Sequence, residues 1–99
     1  MQITGPLCRA ARALIQWPRR KLADEAGVAR SLIRNFEGAG VDPGERVRAA
    51  IQAALERGGA VFLPEDKMGA GVRLRFTAKD VRAIDRLEAE GGAVGEDDV

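Results

Sequence analysis

The chain has no histidine and no tyrosine, a single cysteine, one tryptophan and three phenylalanines. Without histidine the commonest general base, the commonest metal ligand and every histidine-dependent triad are gone. One cysteine, Cys8, rules out an internal disulfide framework and fits a reducing compartment, so a cytoplasmic location is expected. Aromatic residues make up only 4% of the chain, too few for the stacking platforms that RNA-binding modules use. No apolar run approaches the roughly 18 residues of a membrane-spanning helix. The stretch Met1 to Pro6 has no basic region followed by an apolar one, so no signal peptide is expected. Acidic residues are scattered without metal-ligand spacing. Gly69-Ala70-Gly71 precedes a strand pattern and lacks the lysine of a nucleotide-binding loop. Neither an enzyme nor a bound metal or cofactor is expected.

What remains is a 99-residue chain, 45% hydrophobic and 31% charged, the balance of one small globular unit. Its net charge of +1 is unevenly spread. Residues 1–40 carry seven basic side chains against three acidic ones, and residues 76–99 carry three against seven. The first part therefore suits a polyanion and the last part repels one. Thirteen of the sixteen cations are arginine, whose planar fork fits phosphate and guanine edges. A GC-rich coding bias toward arginine gives the same count.

Glycine and proline divide the chain. Helical periodicity predicts helices over 5–17 (Leu7, Ala11, Leu14, Ile15), 19–26 (Leu22, Ala23, Ala26), 29–37 (Leu32, Ile33, Phe36) and 45–57 (Val47, Ala50, Ile51, Ala54, Leu55). Pro18 suits a helix start and Gly27 a helix stop. The period then changes. Residues 60–63 are β-prone, and Val72, Leu74 and Phe76 alternate with Arg73 and Arg75, which predicts a hairpin with one wet face. Thr77 and Asp80 resemble the start of a last helix, about 78–90, striped by Val81, Ile84 and Leu87. Residues 91–99 read as an acidic, frayed tail. The expected fold is mainly α: a four-helix bundle over 1–58, a β-hairpin plus C-terminal helix over 59–90, and the tail. A lone hairpin is marginal in water. It must pack on the helices or on a second copy, and a homodimer through residues 60–90 is expected, with packing inside one chain as the alternative.

Residues 19–37 carry the chemistry. Two short helices meet at a glycine corner, with small Ala23 facing Ile33 and Phe36, the packing logic of a helix-turn-helix. Arg19, Arg20 and Lys21 fill the first turn of the second helix, against the macrodipole, by about 0.3–1 kcal/mol each if exposed. Pairs of Arg20 with Asp24 and Lys21 with Glu25 offset about 0.2–0.5 kcal/mol each and leave Arg19 without a partner. A phosphate held by the free N–H groups and these cations is the functional reading. For Arg20 and Lys21 a solvated, paired face serves equally well. On the third helix Arg30 and Arg34 share a face that Ser31 and Asn35 widen. Arginine bonds guanine and asparagine bonds adenine with two hydrogen bonds each. An ordinary wet helix face is the alternative. Cys8 and Trp17 read as core residues.

Residues 8–37, Cys-Arg-Ala-Ala-Arg-Ala-Leu-Ile-Gln-Trp … Lys-Leu-Ala-Asp-Glu-Ala-Gly-Val-Ala-Arg-Ser-Leu-Ile-Arg-Asn-Phe-Glu, resemble the xenobiotic-response-element (Cro/repressor-like) family of bacterial helix-turn-helix regulators. The likeness runs to about residue 58, and the following Val-Phe-Leu-Pro-Glu … Gly-Val-Arg-Leu-Arg resembles a hairpin appended in small members. It implies a phosphate contact at Arg19, base-reading positions at Arg30, Ser31, Arg34 and Asn35, and a structural ion pair of Arg12 with Glu37. Two departures stand out: Pro18 and Ala29 occupy positions where the family has polar helix caps, and a lost cap costs about 1 kcal/mol. The resemblance implies a sequence-specific regulator, more a repressor than an activator, bound as a homodimer to a palindromic double-stranded operator. The rival is an antitoxin-type module whose residues 60–99 bind a protein partner while the helical part binds its own promoter.

Overall fold

A computed structural model describes residues 1–80. Its elements are α1 (Gly5–Ile15), α2 (Arg19–Ala26), α3 (Arg30–Gly38), α4 (Glu45–Arg57), β1 (Ala60–Leu63) and β2 (Gly71–Leu74). The chain is mainly helical with a small two-stranded antiparallel sheet. No helix among the described residues is long and apolar enough to cross a membrane.

Thr4 starts α1, its Oγ1 accepting from Leu7 N–H at 3.3 Å. The helix ends at Ile15, two residues before the expected Trp17, because Gln16 turns left-handed (φ 59°). Gln16 N–H then donates to Ala13 O and Trp17 N–H to Arg12 O, the two closing bonds of a Schellman stop, here without its usual glycine. Trp17 thereby lands on Gly58, where an added Cβ would lie 2.6 Å from the indole ring. Gly27 (φ 70°) ends α2, and both Gly27 and Val28 donate to Ala23 O. Ala29 stays extended, so α3 begins one residue later than the periodicity predicts. At the start of α4, Asp42 Oδ1 accepts from Gly44 N–H at 2.9 Å and pairs with the Arg48 guanidinium.

The core joins all four helices to the sheet. Ile3, Cys8, Leu22, Ile33, Ile51 and Leu55 are its largest fully buried side chains. Leu14, expected on the packed face of α1, is 39% exposed. Cys8 and Ala11 face inward there instead, together with Gly5. In the hairpin Ala60 opposes Leu74 and Phe62 opposes Val72. Ala60 and Phe62 are buried, with α1 packed against β2 and α4 against β1. The expected strand to Phe76 stops at Leu74. The expected alternation also fails, since Arg73, Leu74, Arg75 and Phe76 are all exposed. Residues 78–80 are helical. Thr77 Oγ1 accepts from Asp80 N–H at 3.1 Å, and Asp80 Oδ2 accepts from Thr77 N–H at 3.3 Å, a reciprocal cap. The rest of the helix expected over 78–90, and the tail 91–99, lie outside the described residues.

Gly5 fixes how α1 meets α3. A Cβ there would collide with the carbonyl oxygen of Phe36 and lie 3.2 Å from Glu37 Cα. Neither backbone can yield cheaply. Gly5→Ala is expected to destabilise the domain by about 1–3 kcal/mol, lowering the thermal midpoint by about 4–8 °C for each kcal/mol. Thermal unfolding of the two proteins checks this, and an unchanged midpoint would show that α1 and α3 are not tightly apposed.

Candidate nucleic-acid interface

The site is built around one buried carboxylate. Glu37 sits in the last turn of α3 with its side chain fully buried. A carboxylate taken from water is costly unless every lone pair is matched. Here it is. Arg12 donates Nε to Oε2 and Nη2 to Oε1, both at 2.7 Å, the two-pronged geometry only arginine provides. Cys8 donates Sγ–H to Oε2 at 3.1 Å, and Arg19 donates Nε to Oε1 at 3.2 Å. Burial pushes the Glu37 carboxyl up, but the bonds from Arg12, Cys8 and Arg19 outweigh it and leave the pKa below the usual carboxylate range. Burial first, then the hydrogen bond to Glu37, raises the Cys8 thiol far above its ordinary value. Cys8 is thus a neutral donor in the core, as its sequence neighbourhood suggests. Arg9 adds a bond to Glu37 O at 3.1 Å, and Arg12 Nη1 reaches Trp17 O at 3.0 Å. The expected pair of Arg12 with Glu37 is therefore present and ties α1 to α3.

The network corrects the reading of Arg19 as a cation without a partner. Its Nε is held by Glu37 while its side chain stays 40% exposed. The signal was hard to see, because Arg19 and Glu37 are eighteen residues apart in sequence. The predicted pair of Lys21 with Glu25 forms, at 3.7 Å. Among the described residues, Arg20 forms no ion pair with Asp24.

Around this anchor lies a cleft of about 830 Å³ lined by Arg12, Pro18, Arg19, Arg20, Arg30, Ser31 and Arg34. It joins the first turn of α2 to the first turns of α3. Among the described residues, five of the seven that line it are arginine and none is a carboxylate. The structure thus brings Arg19 and Arg20 together with Arg30, Ser31 and Arg34. Two predicted site residues fall outside the lining. Lys21 lies over the Trp17 ring, 5.5 Å from its centroid. Asn35 is exposed further along α3. Neither α2 nor α3 has a side-chain cap, as Pro18 and Ala29 imply, and among the described residues the N–H groups of 19–21 and 30–31 have no acceptor, which suits an anion. No group of histidine, cysteine and acidic residues with metal-binding geometry occurs among the described residues.

Glu37 makes stability depend on acid. Its folded pKa lies below the unfolded value of about 4.3. Its contribution is therefore complete above that value and disappears as pH falls through the folded pKa. Glu37→Gln is expected to cost about 3–5 kcal/mol at pH 7 by leaving Arg12 without its partner, and to flatten the acid limb of the stability profile. Urea unfolding between pH 7 and 3 checks this; parallel acid limbs for the two proteins would contradict it.

No protein-family model matches this chain and no curated protein does.

Proposed function

We propose that the chain is a homodimeric, sequence-specific double-stranded DNA-binding regulator of the Cro/repressor-like helix-turn-helix kind, acting as a repressor. The observation that carries this reading is the arginine-lined cleft between α2 and α3, continuous with an exposed polar face on α3. Duplex DNA presents dense phosphate charge flanking a groove that admits one helix. A basic cleft beside a helix of matching width fits both features at once. In this reading Arg19 and Arg20 hold the backbone. Lys21, paired with Glu25 and drawn over Trp17, contributes less than its position in sequence implies. Arg30, Ser31, Arg34 and Asn35 enter the major groove, with Asn35 suited to adenine through two hydrogen bonds.

Residues 1–58 form the DNA-binding part and residues 59–90 the assembly part. Leu63 and Leu74 on the hairpin and Phe76 just after it are 39%, 38% and 41% exposed, which supports a protein contact there. A two-fold dimer would place its two α3 helices in grooves about 34–36 Å apart and so require a palindromic operator. Occupying a promoter would repress it. The antitoxin alternative assigns the same hairpin to a different protein; co-purification from the native host separates the two.

Two measurements test the proposal. Sedimentation at micromolar concentration should give twice the mass of the chain, and a strict single-chain mass would remove the paired half-sites. Selection from random duplexes should yield a preferred sequence. On it, Asn35→Ala is expected to lose about 1–3 kcal/mol while binding scrambled duplexes as before. A chain that binds no duplex even at low salt would overturn the proposal.

A further inference from the structure

We infer that the cleft is a phosphate clamp in which Arg30 works with Arg19 and Arg20 on one phosphodiester, so that Arg30 positions the backbone instead of reading a base. The inference rests on the DNA-binding reading above and divides the roles of its residues differently. Its chemistry is that of a phosphoryl oxyanion, whether in a nucleic-acid backbone or free in solution.

Guanidinium groups stay protonated at all ordinary pH and can only donate. Five of them line one cleft, with no carboxylate in its lining among the described residues. Among the described residues, the carboxylate that pairs with lining arginines, Glu37, is already committed: its two oxygens take four donors from Arg12, Cys8 and Arg19. It has no capacity left for Arg20 or Arg30. Among the described residues, neither of these two takes part in an ion pair. Arginines gathered in this way repel one another until an acceptor with several oxygens lies between them. Glu37 also holds Arg19 by Nε, which leaves the two terminal nitrogens of that guanidinium to point elsewhere. Arginine held from behind is the arrangement that makes paired hydrogen bonds to phosphate at low entropic cost.

The backbone adds to the same place. Leu22 N–H and Leu32 N–H are the first amides of α2 and α3 to find carbonyl partners, at Pro18 and Ala29. The amides before them, at 19–21 and 30–31, have no protein acceptor among the described residues. Both sets flank the cleft that contains Arg19, Arg20, Arg30 and Ser31. The size and walls decide between kinds of phosphate. A space of about 830 Å³ is within the usual range for a bound organic group, about 300–1,000 Å³. Among the described residues, its lining has no aromatic ring to stack a base. A phosphate carried between two sugars fits this better than a nucleotide recognised by its base. Asn35 lies outside the lining and remains free to read the groove.

The full chain and three variants test the clamp: Arg19→Gln, Arg30→Gln and Arg46→Gln. Arg46 is exposed on α4, outside the cleft. Inorganic pyrophosphate is titrated into each at low salt, followed by Trp17 fluorescence and calorimetry. Saturable binding is expected, weakened about tenfold or more by Arg19→Gln and Arg30→Gln and unchanged by Arg46→Gln; tenfold corresponds to about 1.4 kcal/mol. In the duplex arm, Arg30→Gln should weaken preferred and scrambled duplexes alike and reduce the slope of log affinity against log salt by about 1. If Arg30→Gln weakens only the preferred duplex, with the slope and the pyrophosphate affinity intact, Arg30 reads a base and the clamp is wrong while the DNA reading stands. If pyrophosphate binds in the cleft and no duplex binds, the clamp stands with free phosphate as its source and the regulator reading fails. Pyrophosphate binding untouched by Arg19→Gln and Arg30→Gln overturns the clamp directly.

Discussion

The buried carboxylate of Glu37 is the constraint on which the arrangement turns. It lies on α3 and holds Arg12 of α1, Arg19 of α2 and the Cys8 thiol together. Three helices therefore share one electrostatic knot. A buried ion pair is seldom a large net gain over apolar packing, but losing one partner is costly. The knot thus makes the relative placement of α1, α2 and α3 hard to vary, which is what a surface of matched charges needs. Gly5 supports it from the backbone side, since only a residue without Cβ lets α1 approach Phe36 and Glu37 so closely.

The same knot shapes the charge of the cleft. Glu37 neutralises part of Arg12 and Arg19 from behind and leaves Arg20, Arg30 and Arg34 facing solvent. Glu37, the one buried carboxylate among the described residues, thereby serves orientation, and in the proposed reading the outer cations serve the DNA backbone. That division explains how five arginines can share a small region of a chain whose net charge is only +1. Much of the opposing charge sits far along the sequence, in the acidic residues after position 76.

Much of this was legible in the sequence, for identifiable reasons. α2 and α4 have the expected bounds because Pro18 and Gly27, and Gly44 and Gly58, punctuate both ends of each. The start of α3 was legible to within one residue, since Ala29 gives no cap signal. The end of α1 was not legible. Gln16 adopts a left-handed conformation that no local preference predicts, and it does so where Trp17 docks on the distant Gly58. Leu14 shows the limit of periodicity, which counts apolar spacing without knowing which stripe meets a neighbour. In the site, the individual arginines were visible on helix geometry alone, and the pairing of Arg12 with Glu37 came through resemblance. The grip of Glu37 on Arg19 and the convergence of Arg30 on the same cleft were hidden, because both depend on how three helices pack.

The most direct test of the account is the set of arginine Nε–H resonances in a uniformly labelled sample, followed while a mixed-sequence duplex is added at low salt. The account predicts that the Nε–H signals of Arg19, Arg20, Arg30 and Arg34 shift and broaden together, while those of Arg57 and Arg75, which donate to backbone carbonyls away from the cleft, stay in place. Shifts centred on the hairpin arginines, with the cleft signals unmoved, would contradict it.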